Sequence, residues 1–158
     1  MSALPGAGER LPAVGFSAPS GEAVELRGRH GPVVVLAVGG DECAGCADWV
    51  RALEEQGDQL ARWGASVFVV LPRGGAGGGL EARAHGTARL VTDDTGALAG
   101  GGPGAAVLVA DEWGEIYFSR HAPSGRELPG ADEVFDWLRF VAIQCPECDP
   151  IEWPWGQV

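Results

Sequence analysis

An α/β domain is the fold class this sequence predicts, and three observations predict it. A continuous β-branched run, "VVVLAV" (33–38), leads through a helical pattern to a second apolar run, "SVFVVL" (66–71). Two further apolar runs, "AAVLVA" and "EIYFS", flank the turn signal "DEWG". An amphipathic stretch, "ADEVFDWLRFVAIQ" (131–144), closes the pattern. The expectation is a mixed sheet with one βαβ unit, a C-terminal β-hairpin and a closing helix.

A run that is apolar at every position suits a strand buried on both faces. Strand, long crossover and strand make a βαβ unit with parallel pairing and a right-handed connection. The crossover, "CADWVRALEEQGDQLARW" (46–63), reads as one helix, because Trp49, Leu53, Leu60 and Trp63 recur at helical spacing. Gly57 weakens that helix, and Gly64 sits where a C-cap glycine is expected. "PRGGAGGGLEARAHG" (72–86) reads as a loop with a short helical turn, and its glycines lack the order and the lysine of a phosphate-binding loop. "RLVTDD" (89–94) reads as a short strand, and "TGALAGGGPG" as an irregular connection. "DEWG" between two apolar runs gives the hairpin. The last helix carries Val134, Trp137, Leu138 and Val141 on one stripe.

At 158 residues the chain predicts one domain, over 1–144, followed by a Cys-Pro-Glu-Cys and Trp/Pro tail over 145–158. A chain of this length buries roughly 68–70% of the surface its unfolded form exposes, so it needs no disulfide staple. The net charge of −11, with eleven arginines and no lysine, excludes a basic surface for nucleic acid or anionic membrane. The first residues, "MSALPGAGERLPAVG", lack the basic start and apolar core of a secretory signal, so a cytoplasmic location is expected. Cysteines there stay reduced unless they are catalytic, sensing or metal-bound.

The chain has four cysteines, in two Cys-x-x-Cys pairs. Cys43 and Cys46 fall where a strand becomes a helix, at the carboxyl end of a central strand, where open α/β sheets place their sites. Unpaired N–H groups and the positive end of the helix favour a thiolate there. One sulfur of such a pair attacks and its neighbour resolves the mixed disulfide. Asp41 and Glu42 work against a low thiol pKa. The expected catalytic residues are Cys43, attacking, and Cys46, resolving. Trp49 either shields the pair or belongs to the core.

Cys145 and Cys148, in "CPEC", are expected as auxiliary redox residues. The same spacing occurs in zinc-knuckle turns, and a tetrahedral site needs two pairs. Zinc held by Cys43, Cys46, Cys145 and Cys148 is therefore the alternative, a non-enzymatic metal-binding or scaffold domain; the leading reading has no cofactor. The hundred residues between the pairs and the helical setting of the first count against zinc. Trp153 and Trp155 are expected to dock the tail, since they are costly to leave in water. His30, His85 and His121 follow no ligand spacing. Asp93 and Asp94, neighbours on a strand, point to opposite faces and suit a turn better than an acid–base pair.

The order of strand, Cys-x-x-Cys, helix, then "LVTDDTGALA", then strand, "DEWG", strand, over residues 11–140, resembles the thioredoxin-like superfamily. Within it the chain is most similar to the peroxiredoxin-like branch related to alkyl hydroperoxide reductase and thiol-specific antioxidant proteins. The resemblance implies a three-layer thioredoxin-like fold and a thiol–disulfide oxidoreductase or peroxiredoxin-like antioxidant enzyme. Its substrate would be a protein or small-molecule disulfide or peroxide, with a thiol reductant as electron donor and a homodimer as an option. It also implies a relay, in which Cys145 or Cys148 reduces a Cys43–Cys46 disulfide. Ala37 stands where thioredoxins carry a buried carboxylate. Ala105 or Ala106 stands where a cis-proline or the peroxide-activating arginine is expected, and Cys43 takes the place of a peroxiredoxin threonine.

Overall fold

In the computed structural model, residues 4–27, 31–38, 45–73, 88–98, 104–123 and 127–143 are described. The strands are β1 (Phe16–Ser17), β2 (Val33–Val38), β3 (Ser66–Pro72), β4 (Ala88–Asp93), β5 (Ala105–Ala110) and β6 (Ile116–Ala122). The helices are α1 (Cys46–Glu54), α2 (Gly57–Arg62) and α3 (Ala131–Ala142). The sheet order is β1-β4-β3-β2-β5-β6. β2, β3 and β4 are parallel to one another, while β1, β5 and β6 run antiparallel to their neighbours. All six residues of β2 are buried, as its unbroken apolar run requires.

The helices cover one face of the sheet. Val34, Leu36 and Val38 point into it and meet Trp49, Val50, Leu53 and Leu60 from the first two helices and Val134, Leu138 and Val141 from the third. Each such fully buried side chain contributes about 1.5–3 kcal/mol of hydrophobic stabilisation. Val33, Val35 and Ala37 point the other way, onto Leu11, Phe16, Leu26 and Leu98. Among the described residues that third layer is an irregular covering drawn mostly from the N-terminal segment, not a helix.

The expected single crossover helix is broken. α1 ends at Glu54, and Gln56 leaves helical geometry at φ −107° and ψ 32° before α2 begins. Gln56 and Gly57 supply no apolar anchor between Leu53 and Leu60, and glycine costs about 1 kcal/mol in a helix interior. The expected cap at Gly64 is present. Its φ is 68°, its N–H donates to the Ala61 carbonyl, and the Ala65 N–H donates to the Leu60 carbonyl, which is a Schellman ending.

The hairpin turn is held by Asp111, whose Oδ1 accepts the N–H groups of Trp113 and Glu115, both at 2.9 Å. No helix among the described residues is long and apolar enough to cross a membrane.

Candidate functional site

Cys46 is the first residue of α1, just beyond the carboxyl end of β2. It is 1% exposed, lies in the core cluster under the helices, and is disulfide-bonded. Gly45, with φ 89°, precedes it as the N-cap and offers no side-chain cap, so the first turn of α1 has no side-chain acceptor from that position. The N–H of Trp49 is tied back there, to the Gly45 carbonyl at 2.9 Å. Cys43, Cys145 and Cys148 lie outside the described residues, as do His30, His85, Trp153 and Trp155.

Two elements frame Cys46. Trp49, one turn further along α1, is 7% exposed, and its Nε1 donates to the Pro129 carbonyl at 2.8 Å. It is core and tie together, joining α1 to the start of α3. From the sheet, Val38 at the end of β2 is paired with Ala105 at the start of β5, and Ala37 with Ala106. Ala37, Ala105 and Ala106 are all buried. The positions where a buried carboxylate and a cation were to be looked for carry methyl groups. No peptide bond among the described residues is cis.

Sequence reasoning missed Gly104. Its φ is 90°, and a Cβ there would run into the carbonyl oxygens of Ala122 and Pro123. It lets β5 start hard against the end of β6. The only signal in the sequence was one glycine among several in "GGGPG", too repetitive to single out.

The other candidates do not gather at Cys46. Asp93, 0% exposed, turns its carboxylate onto the following loop: Oδ1 accepts from Gly96 and Ala97, and Oδ2 accepts from Leu98 at 2.6 Å. Asp94 accepts from the Ser17 hydroxyl at 3.1 Å. The two aspartates hold turns and strands, as expected. His121 is exposed on β6. Among the described residues no three His, Cys, Asp or Glu side chains group in a way that could hold a metal ion. A cavity of about 510 Å³ between α2 and α3, walled by Trp63, Phe135, Arg139 and Ile143 among others, includes neither Cys46 nor Trp49 in its lining.

The direction of α3 fixes where the chain leaves this site. Arg120 pairs with Glu133 at 2.9 Å, Phe118 stacks on Trp137 at 5.4 Å, and Tyr117 meets Phe140 at 6.0 Å. Later residues of α3 thus meet earlier residues of β6, and the helix runs away from the Cys46 end of the sheet.

No protein-family model matches the chain, and no curated protein matches it by sequence. Solved structures do match it. A thiol peroxidase from Chromobacterium violaceum is 17% identical with a TM-score of 0.62, covering 89% of this chain and 90% of its own. A peroxiredoxin-like protein from Aquifex aeolicus is 16% identical with a TM-score of 0.66 over the same shares. Peroxidoxin BcpB from Mycobacterium tuberculosis is 18% identical with a TM-score of 0.65, covering 89% of this chain and 99% of its own. What the chain shares with them at such identities is architecture: it has the thioredoxin-like fold, in the form that peroxiredoxins have.

Proposed function

We propose that the chain is a thiol–disulfide oxidoreductase whose exchanging pair is Cys43 and Cys46. The observation that carries this reading is the disulfide-bonded Cys46 at the first residue of α1, beyond the end of the central strand. Cys43 is its natural partner, three residues upstream. Cys145 follows Ile143, the last described residue, by only two residues, and Ile143 ends a helix that runs away from Cys46.

In the reduced protein the Cys43 thiolate attacks a substrate disulfide, forms a mixed disulfide and releases the first substrate thiol. Cys46 then attacks the Cys43 sulfur, closes the intramolecular disulfide and releases the second. The burial of Cys46 suits the resolving role, since its sulfur meets the mixed disulfide only from within. The amide groups of the first turn and the helix dipole stabilise the thiolate. A thiol reductant reopens the pair, and a reducing cytosol supplies one.

A peroxidase is the second reading, favoured by the fold likeness to a thiol peroxidase and to peroxidoxin BcpB. It requires peroxide to be activated next to a sulfur, and Ala105 and Ala106 bring no charge to do so. Zinc would require Cys46 as a thiolate ligand, so it competes with this reading only in the reduced protein, since Cys46 is disulfide-bonded here.

Native mass spectrometry of the untagged protein, purified without chelator and compared before and after reductant, tests the reading. A mass lower by two hydrogens per closed pair with no metal is expected. Exchange with glutathione disulfide should be lost in Cys43→Ser and kept in Cys145→Ser. Stoichiometric zinc released only on denaturation would sink it.

A further inference from the structure

The groove between α2 and α3 combines an aromatic floor with a charged wall. Trp63, the C-cap of α2, and Phe135 of α3 meet in it with ring centroids 5.9 Å apart. Its volume of about 510 Å³ is within the range of ligand pockets, roughly 300–1,000 Å³. Gln56 and Gln59 bring carboxamides from the α2 side. The α3 side is a stripe of Asp132, Asp136, Arg139 and Ile143, which share one helix face and are all exposed.

The charges on that stripe are unspent. Asp48 and Arg51 stand three residues apart on α1 and close an ion pair at 2.9 Å. Asp136 and Arg139 have the same spacing on α3 and do not close one. Asp132, Asp136 and Arg139 have no hydrogen bond or ion pair among the described residues. The helix dipole accounts for an acid in the first turn and a base in the last, where Asp132 and Arg139 lie. It does not account for Asp136 in the middle of the helix, four residues from a second carboxylate that repels it.

A cation over this end of the groove satisfies both carboxylates, because side chains four apart on a helix stand only about 5–6 Å from each other. Aromatic rings beside it add their own attraction for positive charge. The rest of the ligand must be apolar, since Ile143, 69% exposed, continues the floor at the far end. From Asp132 to Ile143 the helix rises about 16 Å, the length of an extended segment of about five residues. A single small cation covers one end of that stripe, whereas a peptide segment covers all of it.

The geometry points to this groove as a docking site for a basic, apolar-flanked segment of a partner protein. An arginine or lysine of the segment sits between Asp132 and Asp136, and its apolar side chains lie on Trp63, Phe135 and Ile143. The net charge of −11 draws such a segment in from a distance and turns acidic ones away. A second copy of the chain carries the same charge and is repelled by it. The residues after Ile143 include Glu147, Asp149 and Glu152 and no lysine or arginine, so they lack the cation the groove calls for. The site is separate from Cys46 and does not depend on the reaction there.

The probe is a blocked peptide of about five residues alternating leucine and arginine, with a leucine–glutamate peptide as its counterpart. Each is titrated into the isotopically labelled full chain at low salt and followed by NMR. The arginine peptide should shift the Trp63 indole and the Gln59 side-chain amide, and the glutamate peptide should not. Asp132→Asn and Asp136→Asn should each weaken binding about two- to fivefold, the range of one exposed ion pair. Arg139→Gln should strengthen it by a similar factor, a change of opposite sign that loss of structure does not produce. Asp58→Asn, at an exposed acid of α2 outside the groove, should leave the affinity unchanged. Equal binding of the two peptides, no shift at Trp63, or a loss in Asp58→Asn as large as in Asp136→Asn would overturn the proposal. So would groove signals that move when the protein alone is diluted or when 144–158 are removed, which would assign the groove to a second copy or to the chain's own end.

Discussion

Trp49 and Pro129 are joined by one buried hydrogen bond, from the indole Nε1 to the carbonyl oxygen at 2.8 Å, and that bond clamps the first turns of α1 to the start of α3. The indole also belongs to the same buried core cluster as Cys46. Trp49→Phe keeps most of the apolar surface and leaves the Pro129 carbonyl without its donor. An unsatisfied buried group costs about 1–3 kcal/mol. The unfolding free energy should fall by that amount, seen as a lower urea midpoint at unchanged slope. A variant as stable as wild type would show that the indole contributes only bulk.

Asp93 should be the most sensitive acidic residue to mutation among those described. Its carboxylate collects three backbone N–H groups at 2.9, 3.1 and 2.6 Å, and the side chain is fully buried. Asp93→Ala strands those donors and should destabilise by about 3 kcal/mol, with Asp93→Asn nearer 1 kcal/mol because one acceptor remains. Thermal unfolding of both variants measures it. Equal losses in the two would mean that the carboxylate charge, and not the count of acceptors, holds the turn.

Gly104→Ala tests whether the junction of β5 with the end of β6 depends on a residue without a side chain. A φ of 90° is strained for any L side chain, and the added methyl meets the carbonyl oxygens of Ala122 and Pro123. Strain of this kind costs about 1–3 kcal/mol before the clash is counted, so a loss above about 2 kcal/mol is expected. Because Ala105 pairs with Val38, the shift should also alter the exchange rate at Cys46. Unchanged stability and rate would show that the β5–β6 edge relaxes freely.

The buried strands were legible in the sequence because they carry period and composition at once: "VVVLAV" gave β2 at its observed bounds, and α3 followed from a stripe whose Val134, Leu138 and Val141 are buried. Gly64 and Asp93 were legible through chemistry, one as a cap and the other as a turn. The break between α1 and α2 was not, since Leu53 and Leu60 keep helical spacing across it and the penalty at Gly57 is small beside the tertiary packing that decides. β1 has only two residues, too few for an alternation to register, and its position depends on pairing with β4. At the site, the place of Cys46 at the head of a helix was legible from the apolar run before it and the helical spacing after it. The direction of α3 relative to Cys46 was not, because spacing along the chain does not encode how a helix lies on a sheet.

The pairing of Val38 with Ala105 leads to the prediction about substrate choice. Both residues are buried and apolar, so these two positions bring no side-chain donor to a developing oxyanion. One preorganised donor is commonly worth about 10²–10³ in rate, so a site without it should handle peroxide little better than an ordinary thiolate does. Attack on a disulfide spreads charge over sulfur and asks less of such donors, and the helix N-terminus still favours the thiolate. Stopped-flow oxidation of the reduced protein should therefore be slow and non-saturating with hydrogen peroxide, at a rate near that of free thiolate at the same pH. Glutathione disulfide should oxidise it faster than it oxidises a free cysteine. A saturable peroxide reaction three orders of magnitude above free thiolate would reverse the assignment and make the protein a peroxidase with a donor supplied from elsewhere in the chain.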